Sequence, residues 1–363
     1  MAEAGPVDAR GRGTAHWGER HRRPRPHCAW PGARSPGRGT VPVMVRVFLA
    51  TGDRFGRVNS EKGAEIKWSL EGTGAASLAL DPTDPDTVYV GRHAGGVAHT
   101  SDAGRTWEET GELPERDVFS VAVSPADRAL YVGTEPSRLF RSRDGRDAFE
   151  ELTALQEIPS RPRWSFPPRP WTSHIRWIAP DPHDAQRILV GIELGGLMLT
   201  EDGGRSFSDH RPGAQPDVHA LAWHPSASAR AYEAGGGGAA WSTDGGRTWE
   251  PADEGREHRY VWALAVDPDE PERWYVSAAA GPREAHGGGR ADAAIYRWEG
   301  AGPWRRVAGP LDSMPYALAA LAGGVIFAGL ADGTLMRSGD RGQSWDQLRA
   351  RADRLLALAA IER

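Results

Sequence analysis

The chain has 363 residues, of which 26% are charged and 39% hydrophobic, with 45 Gly, 28 Pro and 15 Trp. So many turn formers and aromatic anchors favour an all-β repeat protein over a helical one. The net charge of −5 divides into +5 over residues 1–43 and −10 over the rest, a mild acidity that argues against nucleic acid as a partner of the folded part. A lone cysteine, Cys28, excludes an intrachain disulfide, and no apolar run is long enough for a membrane span or a leader peptide, so a cytoplasmic protein with no membrane partner is expected.

Residues 1–43 hold eight arginines and 13 Gly plus Pro with almost no aliphatic side chains. Such a segment cannot bury enough apolar surface to offset its chain entropy, which predicts a disordered arm that need not belong to the mature protein. Met44 opens Met-Val-Arg-Val-Phe-Leu-Ala, the first strand-like segment, and the folded domain is expected over 44–363.

From there one phrase recurs five times: Ser/Thr-x-Asp-x-Gly-x-Thr/Ser-Trp/Phe, centred on Asp102, Asp144, Asp202, Asp244 and Asp340. The glycine of the second copy is displaced. In a hairpin turn the Asp carboxylate accepts turn amides, Gly supplies positive φ, and the aromatic anchors the next strand. The aspartates are 42, 58, 42 and 96 residues apart, the last interval being two periods with a degenerate copy around Trp298–Trp304. A second phrase precedes each copy: an apolar strand into Asp-Pro, a short turn, and a strand ending in Gly, as in Ser77–Pro82 with Val88–Gly91 and Ile178–Pro182 with Ile188–Gly191. Four short strands per period of this size make a propeller blade. Six blades are predicted at about 74–110, 117–152, 174–210, 218–251, 260–307 and 315–349. Leu355–Ile361 reads as a lone inner strand that completes a seventh with Val45–Trp68, closing the ring and removing exposed sheet edges.

These phrases resemble the BNR/Asp-box repeats shared by sialidases, single- and double-propeller endoglucanases, sortilin-type domains and photosystem II assembly factors. The resemblance covers about 44–363 and is closest to the bacterial WD40/YVTN/BNR-like group often labelled glycosyl hydrolase. It implies a seven-bladed β-propeller whose Asp-box residues are structural, and it carries little about activity, because unrelated functions share the fold. The chain departs from sialidases: it has no Phe/Tyr-Arg-Ile-Pro motif before the first box and no assignable arginine triad.

A site is expected on the rim opposite the boxes. Aligning the loops after each second strand brings Asp53, His93, Glu135, Glu193 and Glu233 to one mouth, with alanines near Ala279 and Ala331 in the other two blades. Glu135, Glu193 and Glu233 are the candidate catalytic carboxylates, since glycoside hydrolysis needs one protonated and one ionised acid. Neighbouring carboxylates are expected to raise the pKa of Glu193 and Arg176 to oppose that. The inner-strand entries add Trp171, His174 and Arg176, then His219, then His258, Arg259 and Tyr260 as binding residues. The aromatic stretch Pro159–Pro170, with Trp164, reads as a lid, and the insertion Gly281–Ala294 brings His286. No cofactor motif is legible. A metal site drawn from His174, His219, His286 and Glu193 has no short ligand spacing behind it, so the metal question stays open. Three readings compete: a propeller binding a small molecule, glycan or protein partner at the channel mouth, which is favoured because no catalytic set is legible; a sialidase- or endoglucanase-like glycoside hydrolase; and an assembly factor of the photosystem II type.

Overall fold

The computed structural model describes residues 44–60, 64–146, 148–166 and 172–362; the expected arm, residues 1–43, and Trp171 lie outside them. Seven antiparallel sheets stand around a central channel as a seven-bladed β-propeller. Blade 1 is built from Ala75–Leu80, Val88–Arg92, Gly96–Thr100 and Glu108–Glu109, and blade 2 from Val118–Val123, Leu130–Thr134, Leu139–Ser142 and Glu150–Glu151. Blade 3 has three strands, Ile175–Asp181, Asp184–Ile192 and Gly196–Thr200, extended by a bridge from Leu199 to Ser208. Blade 4 comprises Val218–Trp223, Ala231–Gly235, Gly238–Ser242 and Glu250–Pro251. Blade 5 comprises Tyr260–Val266, Arg273–Ala279, Ala293–Glu299 and Arg305–Leu311, and blade 6 Pro315–Leu321, Val325–Leu330, Thr334–Ser338 and Asp346–Arg351.

The seventh blade joins both ends of the described chain. Ala357–Glu362 is its inner strand and pairs antiparallel with Val45–Ala50, which continues to Phe55–Asn59 and Lys67–Ser69. The inner strands pack each against the next all the way round, and Ala357–Glu362 meets both blade 6 and blade 1.

Neighbouring blades share their apolar faces. Tyr131 of blade 2 is buried with Ile175 and Ile178 of blade 3, and Tyr89 of blade 1 with Val118 and Val121 of blade 2. In blades 1 to 3 a glycine near the end of the second strand permits this approach. A Cβ at Gly91 would run into Val118, one at Gly133 into Ile175, and one at Gly191 into Val218, each on the inner strand of the following blade.

Four of the five repeated turns share one hydrogen-bond pattern. In the first, Asp102 Oδ1 accepts the amides of Arg105 (2.8 Å) and Thr106 (2.9 Å), and Oδ2 accepts the Thr106 hydroxyl (2.7 Å). Asp202, Asp244 and Asp340 hold the amide and hydroxyl four residues on in the same way, and Asp144 accepts Ser142 and the Arg146 amide. The degenerate copy in blade 5 has lost its Asp but keeps its aromatics: Trp298 Nε1 donates to Gly302 and Trp304 Nε1 to Ala252. Val88 pairs with Thr100 at one end of blade 1 and Arg92 with Gly96 at the other, so the Asp turns lie at the opposite strand ends from the loops that carry His93, Glu135 and Glu193. Among the described residues no helix is long and apolar enough to cross a membrane.

Asp244→Ala strands two turn amides and the Thr248 hydroxyl. It is expected to cost about 1–3 kcal/mol in chemical denaturation while leaving ligand binding at the far rim unchanged. Native stability combined with lost binding would contradict this placement.

Candidate functional site

The site begins with a backbone irregularity that recurs in six blades. The inner strand slips register against its partner at the second or third residue, between Ala75 and Ser77, Val118 and Ser120, Ile175 and Trp177, Val218 and Ala220, Val261 and Leu264, and Pro315 and Ala317. The residue left over in such a β-bulge drops out of the ladder, and its side chain is re-aimed. These residues are Ala76, Phe119, Arg176, His219, Trp262 with Ala263, and Tyr316. Cross-blade bonds pin several of the bulges: Ser120 Oγ donates to the Ile175 carbonyl (2.8 Å), His219 Nδ1 lies 2.6 Å from the Val261 carbonyl, and Ser277 Oγ donates to the Pro315 carbonyl (2.8 Å).

The bulge residues form a continuous cluster at the mouth. The Arg176 guanidinium lies over the Trp262 ring at 4.6 Å, with His219 at 4.5 Å, His286 at 4.5 Å and Tyr316 at 5.6 Å around that indole. His286, from the short helix Pro282–His286, bridges the hydroxyls of Tyr260 (2.8 Å) and Tyr316 (2.7 Å). On the other side Phe119 stacks on His174 at 4.1 Å and meets the edge of His93 at 4.7 Å, while His93 Nδ1 sits 2.8 Å from Asp117.

His174 is clamped between two of the expected carboxylates, with Nε2 2.7 Å from Glu193 and Nδ1 3.2 Å from Glu135. Arg176 stands 3.7 Å from the same Glu193 oxygen. Burial works against charge on Glu193, but the His174 hydrogen bond and the Arg176 charge outweigh it and hold the carboxyl down at about 2. The direction is opposite to the rise that a ring of acids predicts, because the His174 hydrogen bond and the Arg176 charge dominate at Glu193. Phe166 lies 4.8 Å from His174, and Ser160 anchors the preceding turns to Asp209, so the segment before residue 167 does cover the rim.

Below the mouth, the inner strands enclose a channel cavity of about 280 Å³. Phe119, Arg176, Trp177 and Leu356 line it, and Trp177 is unusual for its size in being 39% exposed.

Other expected site residues sit elsewhere. The register pairs Ala234 with Ala220 as Gly91 pairs with Ser77, so Glu233 matches Val90 in mid-strand, and Gly236 takes the place of His93 and Glu193. The run Gly235–Gly238 hides this, since it lacks the Val-Gly ending that anchors the alignment elsewhere. Glu233 is fully buried, accepts only the Gln215 amide (2.9 Å) with one oxygen, and is no partner of Glu135 or Glu193. Asp53 is exposed at its loop tip, outside the cluster, and Arg259 is also exposed. His258 packs toward Tyr296 within blade 5. Trp164 is buried among Leu155, Ile158 and Ile192 with its Nε1 on Ser160, a packing role. Sequence reasoning passed over Phe119, Asp217, Trp262 and Tyr316. The signal was present: an apolar residue, a variable one, then Ala, Ser or Trp, as in Val118-Phe119-Ser120, Val218-His219-Ala220 and Val261-Trp262-Ala263.

No protein-family profile matches the chain. Over 150 residues it is 26% identical to the oligoxyloglucan-reducing end-specific xyloglucanase of Emericella nidulans, a match covering 37% of this chain and 17% of that protein. Over 90 residues it is 34% identical to xyloglucanase Xgh74A of Acetivibrio thermocellus, covering 20% and 11%. Both matches therefore take in well under a quarter of the relative's length. Among solved structures, the GH74 xyloglucanase of Xanthomonas campestris superposes with a TM-score of 0.57 at 18% identity, covering 85% of this chain and 47% of that one. YCF48 of Cyanidioschyzon merolae superposes at 0.53 and 14% identity, covering 76% and 86%. At these identities the superpositions establish the propeller fold.

Burial pushes the Glu233 carboxyl from its ordinary 4.5 up to about 8. The folded protein then keeps a proton that the unfolded chain releases, so stability falls as pH rises from about 4.5 to about 8 and levels off beyond. Glu233→Gln removes this dependence: its melting temperature should exceed that of the wild type at pH 8 and approach it near pH 4.5. Parallel profiles for the two proteins would mean that the buried carboxyl is already ionised.

Proposed function

We propose that this propeller is a glycan-binding protein whose ligand enters the channel mouth and lies against Trp177. One observation carries the reading: an exposed tryptophan inside a channel cavity, with Arg176 and Phe119 turned in beside it from bulged strands. An apolar plate flanked by a few fixed polar groups suits a polyhydroxylated ligand, whose sugar faces are apolar and whose edges hydrogen-bond. The local matches to two xyloglucanases favour xyloglucan over other glycans.

A glycoside hydrolase is the second reading, favoured by the same matches. It needs a protonated and an ionised carboxyl on either side of a glycosidic bond. Glu193 is held ionised and pinned, Glu135 faces the far side of the same histidine, and Glu233 is sealed in a strand. These three carboxyls therefore leave no acid–base pair around an open space, which supports binding without cleavage. The YCF48 likeness includes a complex with a D1 peptide, 19% identical to this chain with a TM-score of 0.52, and this keeps a protein partner as an outcome of the test. We read the five Asp turns as BNR/Asp-box repeats, supported by the hydrogen-bond set that four of them share and by the Ser or Thr hydroxyl that all five accept.

Calorimetric titration with xyloglucan oligosaccharides, run beside a reducing-end assay, tests the proposal. Binding without sugar release is expected, with Trp177→Ala weakening it on the order of tenfold, the equivalent of about 1.4 kcal/mol. Release of reducing ends by the wild type would replace this reading with the hydrolase. Absence of glycan binding would end both.

A further inference from the structure

We infer that the junction of blades 3 and 4 is a binding site for a divalent first-row transition-metal ion, held by Glu193, Asp217 and His219. This goes beyond the glycan reading and does not rest on it. Ligand atoms of the three residues lie within 4.8 Å of one another. Glu193 comes from the loop after Asp184–Ile192, Asp217 from the entry to the next inner strand, and His219 from the bulge of that strand.

The proton positions make the cluster more than a group of acids. His219 is 1% exposed, and its Nδ1 lies 2.6 Å from the Val261 carbonyl, which can only accept. A ring proton therefore sits on Nδ1, and Nε2 is the nitrogen left to face the two carboxylates. Nε2 has no hydrogen-bond partner among the described residues and faces Asp217 Oδ2 at 3.4 Å, with Glu193 beyond. Asp217 Oδ1 is likewise buried and unpaired. Buried polar atoms without partners thus face one another, an arrangement that costs energy when empty and becomes favourable around a cation.

Two further features fit an ion. Gly236 occupies the place where blades 1 to 3 carry His93, Glu135 and Glu193, and a Cβ there would collide with Asp217 Oδ2. The missing side chain leaves room for the carboxylate to turn toward His219. The second is the backbone carbonyl on the far nitrogen of His219, the outer-shell contact that orients metal-bound histidines. One imidazole and two carboxylates suit Zn²⁺ or Mn²⁺. Arg176, 3.7 Å from Glu193, offsets part of the negative charge and disfavours the weaker oxygen-seeking ions Mg²⁺ and Ca²⁺. The expected metal set of His174, His219, His286 and Glu193 is thereby revised. His174 has a carboxylate at each nitrogen, and His286 has a tyrosine hydroxyl at each.

Full-length protein stripped with EDTA is titrated with ZnCl₂, and separately with MnCl₂, MgCl₂ and CaCl₂, by calorimetry and thermal shift. Wild type is expected to take up one equivalent of Zn²⁺ more than Asp217→Asn and to gain a higher melting temperature that the variant does not. The two proteins share every other histidine and cysteine, so any zinc uptake elsewhere in the chain cancels in the difference. Mn²⁺ should show the same difference more weakly, and Mg²⁺ and Ca²⁺ none. Asp217 is partly exposed, so its amide variant should fold; Gly236→Ala, which crowds the carboxylate without removing a ligand, should weaken uptake as well. Equal uptake by wild type and Asp217→Asn overturns the site. So does a ¹⁵N spectrum of the zinc-treated protein in which both His219 ring nitrogens stay protonated, since an imidazolium would then bridge the two carboxylates in place of a metal.

Discussion

The close approach between the end of one blade's second strand and the inner strand of the next governs this structure. Gly91, Gly133 and Gly191 leave the space that Val118, Ile175 and Val218 fill. A four-stranded sheet has two apolar faces and cannot bury either alone; stacked radially, each blade covers its neighbours, and the strand Ala357–Glu362 covers the last gap. Ring closure also settles where chemistry can occur. The inner strands run side by side down the channel, so whatever their first residues carry is gathered at one mouth.

That gathering depends on the bulges. A regular strand would alternate its side chains between the two faces of its blade, where neighbouring blades bury them. One residue too many near the strand entry breaks the alternation: Arg176, His219, Trp262 and Tyr316 meet across four blades, and Phe119 of a fifth stacks on His174 beside them. The serine and histidine bonds to the carbonyls of Ile175, Val261 and Pro315 hold the bulges from the neighbouring strand, so site geometry and blade packing are one set of interactions.

Electrostatics then divides the acids that look alike in sequence. Glu193 is nearly as buried as Glu233, yet one is held ionised and the other protonated near neutrality. The difference is the company: His174 and Arg176 in one case, a single backbone amide in the other. Burial alone raises a carboxyl, and only a basic partner within reach reverses it.

The blade count, the turns and the closing strand were legible because they rest on local chemistry. An Asp two residues after Ser or Thr, a Gly and an aromatic make the same turn wherever they occur, and period-two apolar runs make strands in any blade. Glu135 and Glu193 were legible because their offset from the Val-Gly ending is regular, and His174 and Arg176 because they open the inner strand of the same blade as Glu193. Glu233 was misplaced by the same method, since the sequence Ala-Tyr-Glu-Ala-Gly-Gly-Gly-Gly offers no such landmark and only strand pairing shows it to be three residues short of the mouth. Trp262, Tyr316 and Asp217 belong to the site through contacts between residues tens of positions apart. Local sequence determines a residue's strand and side-chain alternation; the bulges that override that alternation, and the partners met across the ring, were decided by the closed tertiary structure, because they come from packing between blades that no single repeat contains.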